Sequence, residues 1–116
     1  MRQKTILALD LGTRHVGVAL SGSGGTISSL EDFQYKDLFE LERRLKTLIK
    51  DYDIELLLVG DMGQERLPQN LDQVVRKLTD QNHLKLKIVP ERFTSFQARS
   101  HSQAALNILR DFLGRC

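Results

Sequence analysis

The sequence lacks the features that mark disulfide-stapled, secreted or membrane-spanning proteins. Cysteine occurs once in the 116 residues, as Cys116 at the last position, so no internal disulfide can form. The longest apolar runs, 16–20 and 56–60, have five residues each, whereas a membrane helix needs about 20. Residues 1–4 lead into no apolar signal segment. We therefore expect one domain over 1–116, with no membrane partner, in a reducing compartment, the cytoplasm.

An excess of charge of one sign is also missing. The chain carries 17 Lys+Arg and 15 Asp+Glu, which gives a formal net charge of +2. This balance does not identify a partner, because affinity for a polyanion depends on clustered basic residues rather than on their sum. Tryptophan is absent, and the five Phe and two Tyr mostly fall at spacings typical of a core. The aromatic residues therefore predict no stacking platform for single-stranded bases.

Five segments have the composition of strands, and three have the apolar spacing of helices. The predicted strands are 5–9, 16–20, 26–30, 54–59 and 84–88. The predicted helices begin near Leu38, near 68–70 and at Thr94, and the last ends before Gly114. Three consecutive strands followed by alternating helices and strands predict an α/β fold, a five-stranded mixed sheet flanked by helices.

The second predicted strand has one bulky and one small face. Val16, Val18 and Leu20 alternate with Gly17 and Ala19, and successive side chains of a strand point to opposite faces of its sheet. We therefore expect another element to approach the small face closely.

Three acids stand where predicted strands finish. Asp10 follows the first strand, Asp61 the fourth and Glu91 the fifth. If the first and fourth strands are neighbours, Asp10 and Asp61 emerge side by side, and their repulsion favours a hard cation such as Mg²⁺ or Mn²⁺ between them. Two such ions about 4 Å apart would suit phosphodiester hydrolysis. The alternative is that both aspartates cap turns and that Glu91 pairs with Arg92.

A resemblance to a known family gives these acids a context. The segment 7–21, LALDLGTRHVGVALS, resembles the opening signature of the YqgF/RuvX type of Holliday-junction-resolvase-like proteins, candidate nucleases for pre-16S ribosomal RNA. The blocks 58–60 and 90–95 and the register of 104–113 are similar to later parts of the family pattern. The resemblance implies a ribonuclease H-like fold and a nuclease whose site includes Asp10 and Glu91.

The sequence departs from the family pattern at three places. His101 stands where the family has a third acid, and it could bind a metal or transfer a proton, or pack as a half-buried helix residue. Asp61 replaces an apolar residue and could restore an acid on the fourth strand. The basic segment that the family inserts between 98 and 101 is nearly absent, which favours one continuous last helix and removes substrate contacts.

Several residues near these acids could contact nucleic acid. They are Gly12 and Thr13 of the first turn, with Arg14, Arg66, Arg92 and Arg99. Each arginine could bind a phosphate or could simply be a solvated surface charge. The pattern favours recognition of structured RNA or DNA by shape and backbone.

Three hypotheses follow for the function. The first is a metal-dependent nuclease that processes pre-16S rRNA and cleaves branched DNA, with Asp10 and Glu91 as metal ligands and Asp61 or His101 completing the catalytic set. The second is a catalytically impaired nucleic-acid-binding module on the same fold. The third is an ATP- or phosphate-binding fragment, because 10–13 also resembles the phosphate loop of actin-like kinases. The sequence leaves both a monomer and a homodimer open.

Overall fold

Within the residues that the structure describes, eight helices and strands follow one another in the predicted order. The structure is a computed structural model that describes residues 5–12, 14–22, 26–60, 68–89 and 101–114, with the side chains of 101–103 excepted. The strands are β1 (Ile6–Leu11), β2 (His15–Ser21), β3 (Ile27–Gln34), β4 (Leu56–Gly60) and β5 (Lys85–Val89). The helices are α1 (Leu38–Asp51), α2 (Gln69–Asn82) and α3 (His101–Gly114).

The five strands form one mixed sheet in the order β3-β2-β1-β4-β5. The first three strands pair antiparallel, whereas β1 with β4 and β4 with β5 pair parallel. This arrangement confirms the predicted α/β class. The first and fourth strands are neighbours. This is the arrangement in which Asp10 and Asp61 are expected to emerge side by side.

Helices cover both faces of the sheet. On one face, Leu7 and Leu9 of β1 share a buried cluster with Leu41 of α1 and Val75 of α2. On the other face, the intervening residue Ala8 belongs to a second cluster with residues of α3. The alternation of β1 therefore divides the core into two layers, and all six β1 side chains are buried.

Helix α3 packs on the small face of β2. Ala19 is fully buried in one cluster with Ala105, Ile108 and Leu109 of the helix. Small side chains on both elements allow their backbones to approach closely. The alternation of β2 predicts that some element approaches its small face closely, and in the structure this element is α3.

Two strands extend two or more residues past their predicted ends, and the other strand boundaries differ by one or two residues. The first strand continues through Asp10 to Leu11, because these residues pair with Gly17 and Val16 of β2. The third strand runs to Gln34 rather than ending at 30, since its polar second half still pairs with β2 at the edge of the sheet. The predicted start of the last helix at Thr94 lies outside the described residues. No helix in the described segments is long and apolar enough to cross a membrane.

Candidate functional site

The site lies at the edge of the sheet where the parallel strands end. Strands β1, β4 and β5 run in the same direction and finish at Leu11, Gly60 and Val89. In sheets of this kind, ligands bind outside the carboxyl ends of the strands. Asp10 is the next-to-last residue of β1, the central strand, which places its carboxylate at this edge.

Asp10 is a buried carboxylate between two glycines. Asp10 is 6% exposed. Gly17 of β2 is its partner on one side. On the other side Leu9 pairs with Val59, so the same register brings Gly60 next to Asp10. Neither neighbouring position carries a side chain that would crowd the carboxylate, which favours the approach of a ligand.

The carboxylate belongs to the face of the sheet that α3 covers. Ala8, two residues before Asp10, lies in the cluster with Ala105 of α3, and residues two apart in a strand share a face. His101 opens α3 one helical turn before Ala105. The helix that faces Asp10 therefore begins with His101, which the sequence comparison predicts as a site residue.

A tight turn follows Asp10 and is fixed by a tyrosine. The Gly12 N–H donates to the His15 carbonyl at 2.7 Å, which closes the turn between β1 and β2. The Tyr35 hydroxyl donates to the Gly12 carbonyl at 2.6 Å. The Tyr35 N–H donates to the Arg14 carbonyl at 3.0 Å. Tyr35 thus hydrogen-bonds to both sides of the turn. Burial raises the pKa of its hydroxyl above the ordinary value of 10.0.

Sequence reasoning missed Tyr35. No motif contains it, and its partner Gly12 is 23 residues away in the chain. The available signal is local: an aromatic residue stands between the polar end of β3 and Asp37, the N-cap of α1. Such a residue at a strand-to-helix junction predicts burial but not the turn that it contacts.

The predicted site residues are only partly within the described chain. The structure places Asp10, Gly12 and Arg14 at one edge of the sheet, with Arg14 exposed. The backbone of His101 is described, but its side chain is not. The other predicted site residues lie outside the described residues; they are Thr13, Asp61, Arg66, Glu91, Arg92 and Arg99.

The donor chemistry of the site suits a hard divalent ion. Asp10 supplies carboxylate oxygen at a strand end, and Asp61 and Glu91 directly follow or nearly follow the ends of β4 and β5 in the sequence. Carboxylate oxygen is the donor that Mg²⁺ and Mn²⁺ prefer. Within the described ranges no three His, Cys, Asp or Glu residues cluster as a complete metal site, so Asp10 is the described part of the expected set.

Curated relatives resemble almost the whole chain. A protein of Photorhabdus laumondii subsp. laumondii, named a candidate pre-16S rRNA nuclease, is 29% identical over 113 residues, covering 87% of this chain and 77% of its own. A protein of the same name from Dictyoglomus turgidum is 30% identical over 99 residues, covering 80% of this chain and 70% of its own. These similarities confirm the resemblance read from the motifs.

A solved structure shows the same fold, and a family model identifies the family. RuvC of T. thermophilus, in complex with a Holliday junction substrate, matches with a TM-score of 0.70 over 97% of this chain and 96% of that chain, at 12% identity. Such low identity shows the fold alone, which is the ribonuclease H-like fold predicted from the sequence. The model of the family described as RuvX, Holliday junction resolvase, matches residues 4–111. The chain therefore belongs to the RuvX family of Holliday junction resolvases.

Proposed function

We propose that this protein is a metal-dependent nuclease that hydrolyses phosphodiester bonds in structured nucleic acid. Pre-16S rRNA, which is part of its relatives' name, and branched DNA are the candidate substrates. The observation that carries the proposal is the buried Asp10 carboxylate at the end of the central strand, between Gly17 and Gly60. It lies on a chain that matches a resolvase family over 4–111.

Asp10, Asp61 and Glu91 would hold the divalent metal. A bound Mg²⁺ or Mn²⁺ pair would supply Lewis-acid stabilisation of the charge that develops on the phosphate. The chain's own contribution is to fix the Asp10 carboxylate. Pairing of the strand on both sides holds the backbone of Asp10 in place, and the flanking glycines add no side chain beside its carboxylate. Such preorganised donors cost no reorganisation during the reaction.

The remaining predicted residues would position the nucleic acid. Gly12 and Thr13 would offer backbone at the turn, and Arg14, Arg66, Arg92 and Arg99 would bind phosphate oxygens. His101, in place of an acid, would either complete the metal ligands or act as an acid or base near neutral pH.

His101 also supports a second candidate function. A chain without the third acid could bind structured nucleic acid without cutting it. This hypothesis and the nuclease predict the same salt-sensitive binding and differ only in cleavage. The kinase-like alternative has weaker support, because the family match covers 4–111 rather than the phosphate loop alone.

A cleavage assay separates the two functions. Labelled precursor-rRNA fragments and four-way DNA junctions are incubated with Mg²⁺ or Mn²⁺ and the wild type, Asp10→Asn or the control Asp51→Asn, which alters an exposed acid at the end of α1. We expect Asp10→Asn to lower cleavage by at least about a hundredfold, as loss of a metal ligand should, and Asp51→Asn to leave it unchanged. Tight binding by the wild type with no cleavage of any substrate would instead establish the binding module.

A further inference from the structure

A polar groove lies beside the turn that follows Asp10. Its volume is about 410 Å³, and it is lined by Arg14, Gln34, Tyr35, Lys36 and Glu40. These residues come from the turn, from the end of β3 and from the start of α1. They therefore meet at the same edge of the sheet as Asp10, although they are distant in sequence.

The groove offers positive charge. Arg14 and Lys36 are both exposed, and within the described part of the chain neither side chain forms an ion pair. The one carboxylate of the lining, Glu40, is already engaged. Its Oε1 accepts from the Lys36 N–H at 3.0 Å, and its Oε2 lies 3.8 Å from Nη2 of Arg43. Two cations are therefore available to an anion, while the Glu40 carboxylate already interacts with the Lys36 N–H and with Arg43.

The walls of the groove are fixed rather than adaptable. Tyr35 hydrogen-bonds to the Gly12 and Arg14 carbonyls, so the turn cannot shift relative to the end of β3. Asp37 accepts from the Glu40 N–H at 2.9 Å and caps α1. A phosphate entering the groove would thus meet cations on a preorganised backbone, which lowers the ordering cost of binding.

The groove and Asp10 lie at the same edge of the sheet but on opposite faces. Tyr35, which lines the groove, belongs to the buried cluster that contains Leu41 of α1. Ala8, which shares a face with Asp10, belongs to the cluster with Ala105 of α3. A nucleic acid that contacts both must therefore cross this edge of the sheet, and the groove would hold a part of its backbone away from the phosphodiester at Asp10.

We infer that this groove is a subsite for the nucleic-acid backbone, where Arg14 and Lys36 bind phosphates away from the bond that is cut. Gln34 adds an amide that can donate to a phosphate oxygen. The buried Tyr35 ring, 7% exposed, is not available for stacking, so the subsite reads the backbone and not the bases. This inference rests on the proposed function.

Salt dependence of binding tests the subsite. Affinities for a precursor-rRNA fragment and a four-way junction of unrelated sequence are measured by fluorescence anisotropy with chelator, at several salt concentrations. The proteins are the wild type, Arg14→Gln, Lys36→Gln and the double variant. Matched controls are Arg110→Gln on α3 and Lys46→Gln on α1, which change exposed cations outside the groove.

Affinity falls as salt rises, and the steepness of this fall is the slope of log affinity against log salt. We expect each single groove variant to reduce the magnitude of this slope by about 1, and the double variant by about 2, for both ligands. The controls should keep the wild-type slope. Groove variants that match their controls would overturn the subsite and leave the nuclease proposal standing. A wild type that binds neither ligand would overturn the proposed function itself. Circular dichroism of each variant verifies that these exposed changes leave the fold intact.

Discussion

At the sheet edge, a buried acid lies between two residues that have no side chain. Asp10 is buried, yet the two strand positions beside it, Gly17 and Gly60, carry no side chain. A larger residue at either position would stand beside the carboxylate on the same face. The pair of glycines therefore keeps the space beside the carboxylate free of side chains, although neither would be chosen as a functional residue from its own chemistry.

The Tyr35 hydroxyl should contribute measurable stability. Tyr35→Phe keeps the ring but leaves the Gly12 carbonyl without this donor, so we expect the free energy of unfolding to fall by about 1 kcal/mol. Urea unfolding measures the change. Tyr52→Phe is the control, because Tyr52 is exposed at the end of α1 and should lose little. Equal effects of the two substitutions would show that the turn does not depend on this hydrogen bond.

Ionisation of the Tyr35 hydroxyl should lower the free energy of unfolding at alkaline pH. Burial raises the folded-state pKa of Tyr35 above 10.0, so its contribution is fully present below the unfolded pKa and is lost as pH rises from there through the folded pKa. The free energy of unfolding of the wild type should therefore fall more between about pH 9 and about pH 11 than that of Tyr35→Phe. Urea midpoints at the two pH values measure the difference, and parallel changes in both proteins would contradict it.

Among the elements, α3 depends on small residues for its place on the sheet. Ala105 is fully buried and lies in the same cluster as Ala8 of β1 and Ala19 of β2. The sequence predicts this close approach through the alternation of β2. It does not say which element approaches, because any apolar helix could fill such a face.

Enlarging Ala105 should separate the helix from the sheet. We expect Ala105→Leu to lower the free energy of unfolding by about 2 kcal/mol, since overpacking a close-packed contact forces shifts of backbone and side chains. Arg110→Leu introduces the same side chain at an exposed position of the same helix and should change stability by less than about 0.5 kcal/mol. Thermal or urea unfolding of both variants checks the prediction, and a neutral Ala105→Leu would show that the interface can expand.

For the whole molecule, the strand order sets a gradient of stability. β1 lies at the centre of the sheet, paired with β2 and β4, and is buried throughout. β3 is an edge strand whose residues are mostly exposed. Opening β1 requires the sheet to come apart, whereas β3 can detach alone.

Amide hydrogen exchange should reveal this gradient. The slowest amides are expected in β1, near the rate of global unfolding, and those of β3 should exchange much faster through local opening. Exchange followed by NMR or mass spectrometry resolves the two strands. Equal protection of both strands would mean that β3 is held to β2 more firmly than its exposure suggests, although its pairing shifts register between Val16 and Val18.

The sequence by itself determined the order and type of the elements, the α/β class and the family. Each of these rests on information within a short segment: alternation along a strand, three- and four-residue spacing along a helix, or the letters of 7–21. It also indicated Asp10 as a candidate site residue, because an acid that ends an apolar strand is a local pattern.

Only the tertiary structure decided which distant residues meet. The pairing of β1 with β4 brings Gly60 beside Asp10, and the folding of β3 onto β2 brings Tyr35 to Gly12 and Lys36 to the groove with Arg14. These contacts depend on the register between segments that are far apart in the chain. A one-residue slip would turn each side chain to the other face, so no local pattern specifies them, whereas the packing of helices against both faces of the sheet does.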